Sequence, residues 1–257
     1  MRYRKSSNEE KSTSIALLFF GFCVLLIGAS ILIKALLLFY GAKFDGSHQF
    51  ILRVENGEHA VSYVNFSPDV QTASVLQVKG KGQADIPFDA TVIAPEVSEL
   101  TSFGQSILFH HDMHDSLNLV DRVRIFLFTS SMKDSAITYK SLVLPTNRQI
   151  EDTLLSQLFT DHTLYSENMT IGIMNGTGVS GLGDTAAKMI GDIGGDVISV
   201  GTAPAVTSQT TLVYSGTPSY TTKRLASIFH AQMHATTAAM LTDIVLTIGE
   251  NDMSLVQ

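Results

Sequence analysis

From Ser14 to Ile33 the chain runs for 20 residues without a charged side chain, built mostly of Leu, Ile, Phe, Val, Gly and Ala, and after Lys34 the apolar character resumes as far as Tyr40. At a rise of about 1.5 Å per residue, such a helix covers the roughly 30 Å hydrocarbon core of a bilayer. The run therefore predicts one transmembrane helix over 14–40, preceded by a short tail over 1–13. Arg2, Arg4, Lys5 and Lys11 stand in that tail against Glu9 and Glu10. The positive-inside rule then places the N-terminus in the cytoplasm and everything after Tyr40 outside. Lys34 near the far end snorkels to the interface, with Tyr40 at headgroup level. A cleavable signal peptide has a shorter apolar region, roughly 7–15 residues, ending in a small-residue site. Here Gly28-Ala29-Ser30 is followed by Ile31-Leu32-Ile33, so the helix reads as a retained anchor.

The 217 residues beyond Tyr40 suffice for one or two modest domains and carry 12 Lys+Arg against 22 Asp+Glu. That acidic balance, without basic clusters, argues against nucleic acid and against an electrostatic hold on anionic lipids. Cys23, inside the apolar run, is the single cysteine. An exported part must therefore hold itself together by its core, without an intrachain disulfide. No repeat of 20–50 residues and no low-complexity tract is present, which excludes solenoids and disordered stalks.

Over 44–145 the pattern predicts a mixed-sheet domain. Gln49 to Val54 and Ala60 to Phe66 read as two strands joined by the polar turn Glu55-Asn56-Gly57-Glu58, and Ala73 to Val78 as a third. Val97 to Phe109 fits a helix, Val120 to Phe128 a helix or a strand, and Ile137 to Leu144 a strand. Residues 146–167 are more polar, with Ile150, Leu154, Leu155 and Leu158 at helical spacing, and read as a linker carrying a short helix.

The order of anchor, two-strand opening, Asn65-Phe66-Ser67-Pro68, Ser74-Val75-Leu76-Gln77-Val78 and Asp85-Ile86-Pro87 resembles the start of the catalytic domain of the LytR-CpsA-Psr family. Those anchored, outward-facing enzymes transfer glycopolymers from polyprenyl-phosphate carriers to the cell wall. This region departs from the family pattern where chemistry is carried. The family's metal-linked aspartate falls at His59, and its Ile-Pro-Arg-Asp-Thr run falls on Val78-Lys79-Gly80-Lys81-Gly82, so the arginine becomes Gly80. Phosphoryl transfer needs placed cations and metal-holding carboxylates. The reading is thus of a degenerate middle domain with no assigned catalytic residue, and a divergent phosphotransferase stays as the alternative.

The run Met169-Thr170-Ile171-Gly172-Ile173-Met174-Asn175-Gly176-Thr177-Gly178-Val179-Ser180-Gly181-Leu182-Gly183 reads as strand, glycine turn and helix start. Leu182, Ala186, Met189, Ile190 and Ile193 share one helical face, Ser180 is placed to cap it, and Gly194-Gly195 stops it. Val197, Ile198 and Val200 then suggest a short buried strand and Thr210 to Tyr214 another. A second helix starts near Ser219, and Thr242 to Ile248 forms the last strand. The order βαββαβ suggests a ferredoxin-like sandwich with a four-stranded sheet, so the fold class is α+β or α/β behind a single transmembrane helix. The same run and the elements after it resemble the LytR C-terminal domain over 168–250, leaving a tail at 251–257.

Gly176, Gly178 and Gly181 also match the G-x-G-x-x-G spacing of a dinucleotide turn. Asp196 has the right count for the ribose acid but precedes the second strand, whereas that acid belongs at the strand's far end, where Val200 and Gly201 stand. The glycines therefore read as a tight turn, with no dinucleotide and no cofactor. Helix N-termini attract anions, so Asn175, Gly176, Thr177, Gly178 and Gly181 are the candidate ligand-binding residues, facing an envelope phosphate or sugar acid. His110, His111, Asp112, His114 and Asp115 have ligand-type side chains but no second cluster to complete a metal site, and no metal is assigned. His230 and His234 read as cations at the C-terminal end of the second helix. Together with the resemblance, these features imply a non-catalytic envelope protein in the cell membrane. Its C-terminal domain would bind peptidoglycan, a wall glycopolymer or an envelope protein.

Overall fold

A computed structural model of the chain describes residues 7–56, 61–80, 85–94, 97–109, 116–144 and 148–252. Helix α1 spans Ser7–Tyr40. Its apolar stretch, Leu17–Tyr40, is 24 residues long, and its most apolar 18 residues have no buried member. At about 1.5 Å per residue it reaches about 36 Å, enough to cross a bilayer core with some tilt.

The first sheet contains β1 (Phe50–Glu55), β2 (Val61–Ser67), β3 (Thr72–Gly80), β4 (Ala90–Ile93) and β5 (Ile137–Leu144), in the order β4-β1-β2-β3-β5. Strands β1, β2 and β3 form the antiparallel meander expected from sequence, with Phe50 opposite Phe66 and Phe66 opposite Ala73. The four-residue β4 runs parallel to β1, and β5 runs parallel to β3. Between β4 and β5 lie α2 (Leu100–Phe109) and α3 (Leu119–Ser131). The segment Val120 to Phe128, open to either reading, is helical because Asn118 and Asp121 close a capping box at its start and Ile125 and Thr129 follow at helical spacing on the buried face.

Side-chain alternation divides this sheet into two apolar faces. Phe50, Leu52, Val54, Val64, Phe66 and Val75 pack with Leu100, Phe103, Ile107 and Ile125 of the α2/α3 layer. Ile51, Tyr63, Leu76, Val78 and Leu142 point the other way, into a second core shared with the C-terminal half. The segment 146–167 supplies the middle of that core. It forms two helices, α4 (Arg148–Phe159) and α5 (His162–Glu167), where sequence suggested one. Leu155, Leu158, Phe159 and Leu164 are buried, α4 packs on β3 and α6, and α5 packs on α7.

The second sheet holds β6 (Thr170–Asn175), β7 (Asp196–Thr202), β8 (Thr211–Ser215), β9 (Gln232–Thr236) and β10 (Ile244–Ile248), in the order β7-β6-β10-β8-β9. Helix α6 (Leu182–Asp192) joins β6 to β7, and α7 (Tyr220–Ile228) joins β8 to β9. Each βαβ unit has its two strands side by side and parallel, and β10 lies between the units, parallel to β6 and antiparallel to β8. Leu182, Ala186 and Ile190 of α6 and Leu225 and Ile228 of α7 enter one core with Ile171, Ile173, Leu212, Ile244 and Leu246.

The α+β class with a mixed sheet and an N-terminal apolar helix stands as expected, while the strand plan within the C-terminal half differs. The sheet has five strands, and adjacent parallel pairs replace the split arrangement of a ferredoxin-like sandwich. The added strand, β9, takes in His234, so His234 does not sit at a helix end. His230 lies between α7 and β9 with a positive φ of 43°. Strand β7 forms but is largely exposed rather than buried, because it is the sheet edge. The glycine stop holds: Gly194 takes φ +91° and the Gly195 amide donates to the Ile190 carbonyl at 2.9 Å.

Candidate functional site

The turn between β6 and α6 is held mainly by its own side chains. Asn175 Oδ1 accepts from the Thr177 amide at 3.0 Å and from Thr177 Oγ1 at 2.8 Å, while Asn175 Nδ2 donates to the Val179 carbonyl at 2.7 Å. The Val179 amide donates in turn to Thr177 Oγ1 at 3.1 Å. Gly176 is wedged against the end of β10: its amide donates to the Ile248 carbonyl at 2.9 Å, and its carbonyl accepts from the Thr207 amide at 2.7 Å. A Cβ there would stand 2.5 Å from Thr207 Oγ1 and 2.9 Å from that same carbonyl oxygen, so only glycine fits.

Gly178 and Gly181 take φ of +74° and +86°. Gly181, not Ser180, is the N-cap of α6, and it offers no side-chain cap bond. The structure therefore brings Asn175, Gly176, Thr177, Gly178 and Gly181 together in one turn, with the amides of 176, 177 and 179 engaged within the chain. Around it stand the exposed side chains of Val179, Val200 and Val206. Val206 lies beside Gly178 and Val200 beside Gly183. At the far end of β7, Thr202 pairs with Asn175 and offers no carboxylate to a ribose.

A second cluster, not legible beforehand, joins the two halves. Arg224, on α7 and 8 % exposed, forms a two-pronged ion pair with Asp89, which precedes β4. Asp89 Oδ2 also accepts from the Ile51 amide at 2.7 Å. Arg224 Nε faces Asp161 Oδ2 at 3.6 Å. Asp161, 1 % exposed, caps α5 by accepting from the Thr163 and Leu164 amides, and its other oxygen accepts from the Tyr220 hydroxyl at 2.6 Å. Glu167 accepts from the Tyr220 and Thr221 amides at 3.0 and 2.7 Å, gripping the first turn of α7.

Two amides from the first sheet complete the seam. Gln49 Nε2 donates to the Phe159 carbonyl at 2.6 Å and Asn65 Nδ2 to the Leu158 carbonyl at 2.7 Å, satisfying the last carbonyls of α4, which are buried. His48 stacks on Tyr220 with ring centroids 4.5 Å apart, at the mouth of a cleft of about 390 Å³ that Lys43, Asp45 and Lys223 also line. Burial disfavours the charged form of Arg224, and the adjacent Asp89 carboxylate overrides this and holds its pKa above the ordinary value. Burial also pushes the Tyr220 hydroxyl up. Burial works against a charged Glu167, but the Thr221 and Tyr220 donors outweigh it and lower its pKa.

A third charged group lies between α4 and α6. Lys188 Nζ stands 2.8 Å from Asp192 Oδ2, 3.1 Å from Asp152 Oδ1 and 3.6 Å from Glu151 Oε1. Burial opposes its charge, but the hydrogen bonds and fields of these carboxylates raise its pKa. For Asp192 burial wins: despite Lys188, and with Asp152 and Glu151 adding repulsion, its pKa rises to about 6.

Of the remaining candidates, Gly80 ends β3 opposite Leu144 with φ +103°, and neighbouring Lys79 is exposed. His59, Lys81, Gly82 and the cluster His110 to Asp115 lie outside the described residues. Among the described residues no three His, Cys, Asp or Glu side chains group to hold a metal ion.

The architecture is that of a two-sheet α+β protein whose halves share a core, preceded by a long apolar helix. Residues 168–251 match the family model described as LytR cell envelope-related transcriptional attenuator, so the second sheet and its helices form a LytR C-terminal domain. No curated protein and no solved structure matches the chain. The apolar helix and this domain together fit a membrane-anchored envelope protein.

Proposed function

We propose that the chain is a single-pass, extracytoplasmic envelope protein that acts by binding rather than by catalysis, with its LytR-type domain holding peptidoglycan or a wall glycopolymer. The observation that carries this reading is the state of Arg224. Arg224, 8 % exposed, is committed to Asp89 and Asp161 as a clasp between the halves, a pairing that a phosphate would have to displace. The position equivalent to the transferase arginine is Gly80, in keeping with the same reading.

The binding surface is the turn from Asn175 to Gly181, in which buried Gly176 and Thr177 support the exposed Gly178, Val179 and Gly181, with Val200 and Val206 beside it. The exposed apolar side chains beside the turn suit the C–H faces of a sugar. The test is cosedimentation of the part beyond Tyr40 with purified peptidoglycan. Retention is expected, and it should fall on Val206→Asp, a surface change outside the turn's hydrogen bonds. Wild-type protein that stays in solution eliminates wall glycan as the ligand. Turnover of a polyprenyl pyrophosphate mimic with Mg²⁺ would replace the binding reading with the phosphotransferase.

A further inference from the structure

Helix α3 is apolar on two opposite faces, and only one of them is covered. Ile125 and Thr129 face the core with Asp121. At the opposite side, Leu119, Val123 and Leu127, each four residues apart, are 58, 37 and 59 % exposed. Phe126 borders this stripe and meets Phe109 of α2 edge to face at 6.1 Å, and Phe109 is 72 % exposed. On the helical wheel no charged residue falls within the stripe, while Arg122 and Arg124 fall on its two flanks. A contiguous exposed apolar surface of this kind marks an interaction site.

The position of α3 relative to α1 says what covers it. Asn118 Nδ2 donates to the Leu38 carbonyl at 2.9 Å, in the last turn of α1. The Arg124 guanidinium lies over the Phe39 ring, 4.8 Å from its centroid, and donates to the Phe44 carbonyl at 2.6 Å. Asp121 Oδ1 accepts from the Phe44 amide at 2.8 Å. The stripe thus begins where the apolar span ends, tied to its last turn by Asn118 and Arg124 and to the segment just after it by Asp121 and Arg124.

We infer that α3, with Phe109 of α2, lies in the bilayer interface, its Leu119, Val123 and Leu127 side chains inserted among the lipids beside the point where α1 emerges. The occupant of the face is the membrane that holds α1, so this inference rests on the reading of α1 as a span. An amphipathic surface helix sinks its apolar face about 5–10 Å into the boundary between headgroups and acyl chains. The hold is apolar rather than electrostatic, consistent with the acidic outer part, and it fixes the orientation of both sheets relative to the membrane.

Depth-dependent quenching tests the arrangement. The full chain is reconstituted into phosphatidylcholine vesicles, and an environment-sensitive fluorophore is placed in separate samples at native Cys23 and, in a Cys23→Ala background, at Val123→Cys, Leu127→Cys and the fully exposed Leu241→Cys. Lipids with a spin label high on the acyl chain should quench the 123 and 127 probes by at least about half at the depth expected of an interfacial helix. They should leave the 241 probe unchanged, while deep spin labels quench the probe at Cys23. A quenched Cys23 with unquenched 123 and 127 probes that respond to aqueous iodide overturns the docking of α3 and leaves the anchor standing. Probes at 123 and 127 shielded from both quenchers assign the face to a protein partner and overturn the bilayer. An unquenched Cys23 overturns the span and the inference together.

Discussion

The seam around Arg224 and the rim around Lys188 each set one cation among carboxylates, and they differ in how those charges are matched. At the seam, one guanidinium in a fixed fork meets Asp89, with Asp161 on its remaining edge, and both carboxylates receive further donors from backbone amides or Tyr220. At the rim, one ammonium serves three carboxylates, and burial of Asp192, with repulsion from Asp152 and Glu151 added, raises its pKa despite Lys188. Geometry and the supply of extra donors make the difference. A planar fork is matched to carboxylates and orders little on binding, whereas a flexible ammonium is a point charge that attracts more acids than it neutralises. The first arrangement joins two halves of the molecule, and the second holds a carboxyl, Asp192, whose pKa is raised to about 6.

The sharpest way to break this contrast is at Arg224. Arg224→Ala strands Asp89 and Asp161 in the seam, and removing one partner of a buried ion pair costs about 3–5 kcal/mol. Urea unfolding of the part beyond Tyr40 should register most of that loss, with Arg224→Lys recovering only part of it because a single ammonium cannot reproduce the fork. A loss below about 1 kcal/mol, the range of exposed pairs, would place Arg224 in the same category as a surface ion pair.

A smaller effect is expected at Glu167, which grips the first turn of α7 from α5. Glu167→Ala removes a cap worth about 1 kcal/mol. The measurement that separates this from the Arg224 effect is amide exchange. Glu167→Ala should speed exchange in the first turn of α7, at Tyr220 and Thr221, while β10 stays protected. Uniform acceleration across the second sheet would show that the cap carries global stability.

How far such contrasts are legible from sequence depends on whether the signal is local. The long apolar helix, the meander of β1 to β3 and the β6-turn-α6 unit are legible, because each is set by a run or a period within about 20 residues. Strand β4, with four residues after Pro87, is too short to show a period. Strand β9, Gln232–Thr236, is an exposed sheet edge whose polar side chains carry no alternation. The 146–167 segment reads as polar linker because only one stripe of it is apolar, and that stripe proves to be the middle of a shared core. The seam was invisible for a different reason: Asp89 and Arg224 are 135 residues apart and become partners only once both sheets exist. At the turn, sequence located Asn175 to Gly181 but not the internal bonds that Asn175 and Thr177 make there. It also favoured Ser180 as a cap on residue type where backbone geometry selects Gly181.

The finest distinction between the two clusters is their response to pH. Asp192 has a folded pKa of about 6 against an ordinary 3.8, so it binds its proton more tightly in the folded state. Its contribution to stability is fully present below pH 3.8 and is lost as pH rises through about 6. Glu167 runs the other way. Its depressed pKa gives a contribution present above the ordinary 4.5 and lost only as pH falls through the lower folded value. Between pH 7 and pH 5, therefore, acidification strengthens the rim while the Glu167 cap stays ionised. Urea unfolding at both pH values, compared between wild type and Asp192→Asn, isolates this term from histidine titration, which both proteins share. Wild type should gain stability on going from pH 7 to pH 5 relative to Asp192→Asn. Parallel profiles would mean that Lys188 neutralises Asp192 fully, and that the rim is balanced in the same way as the seam.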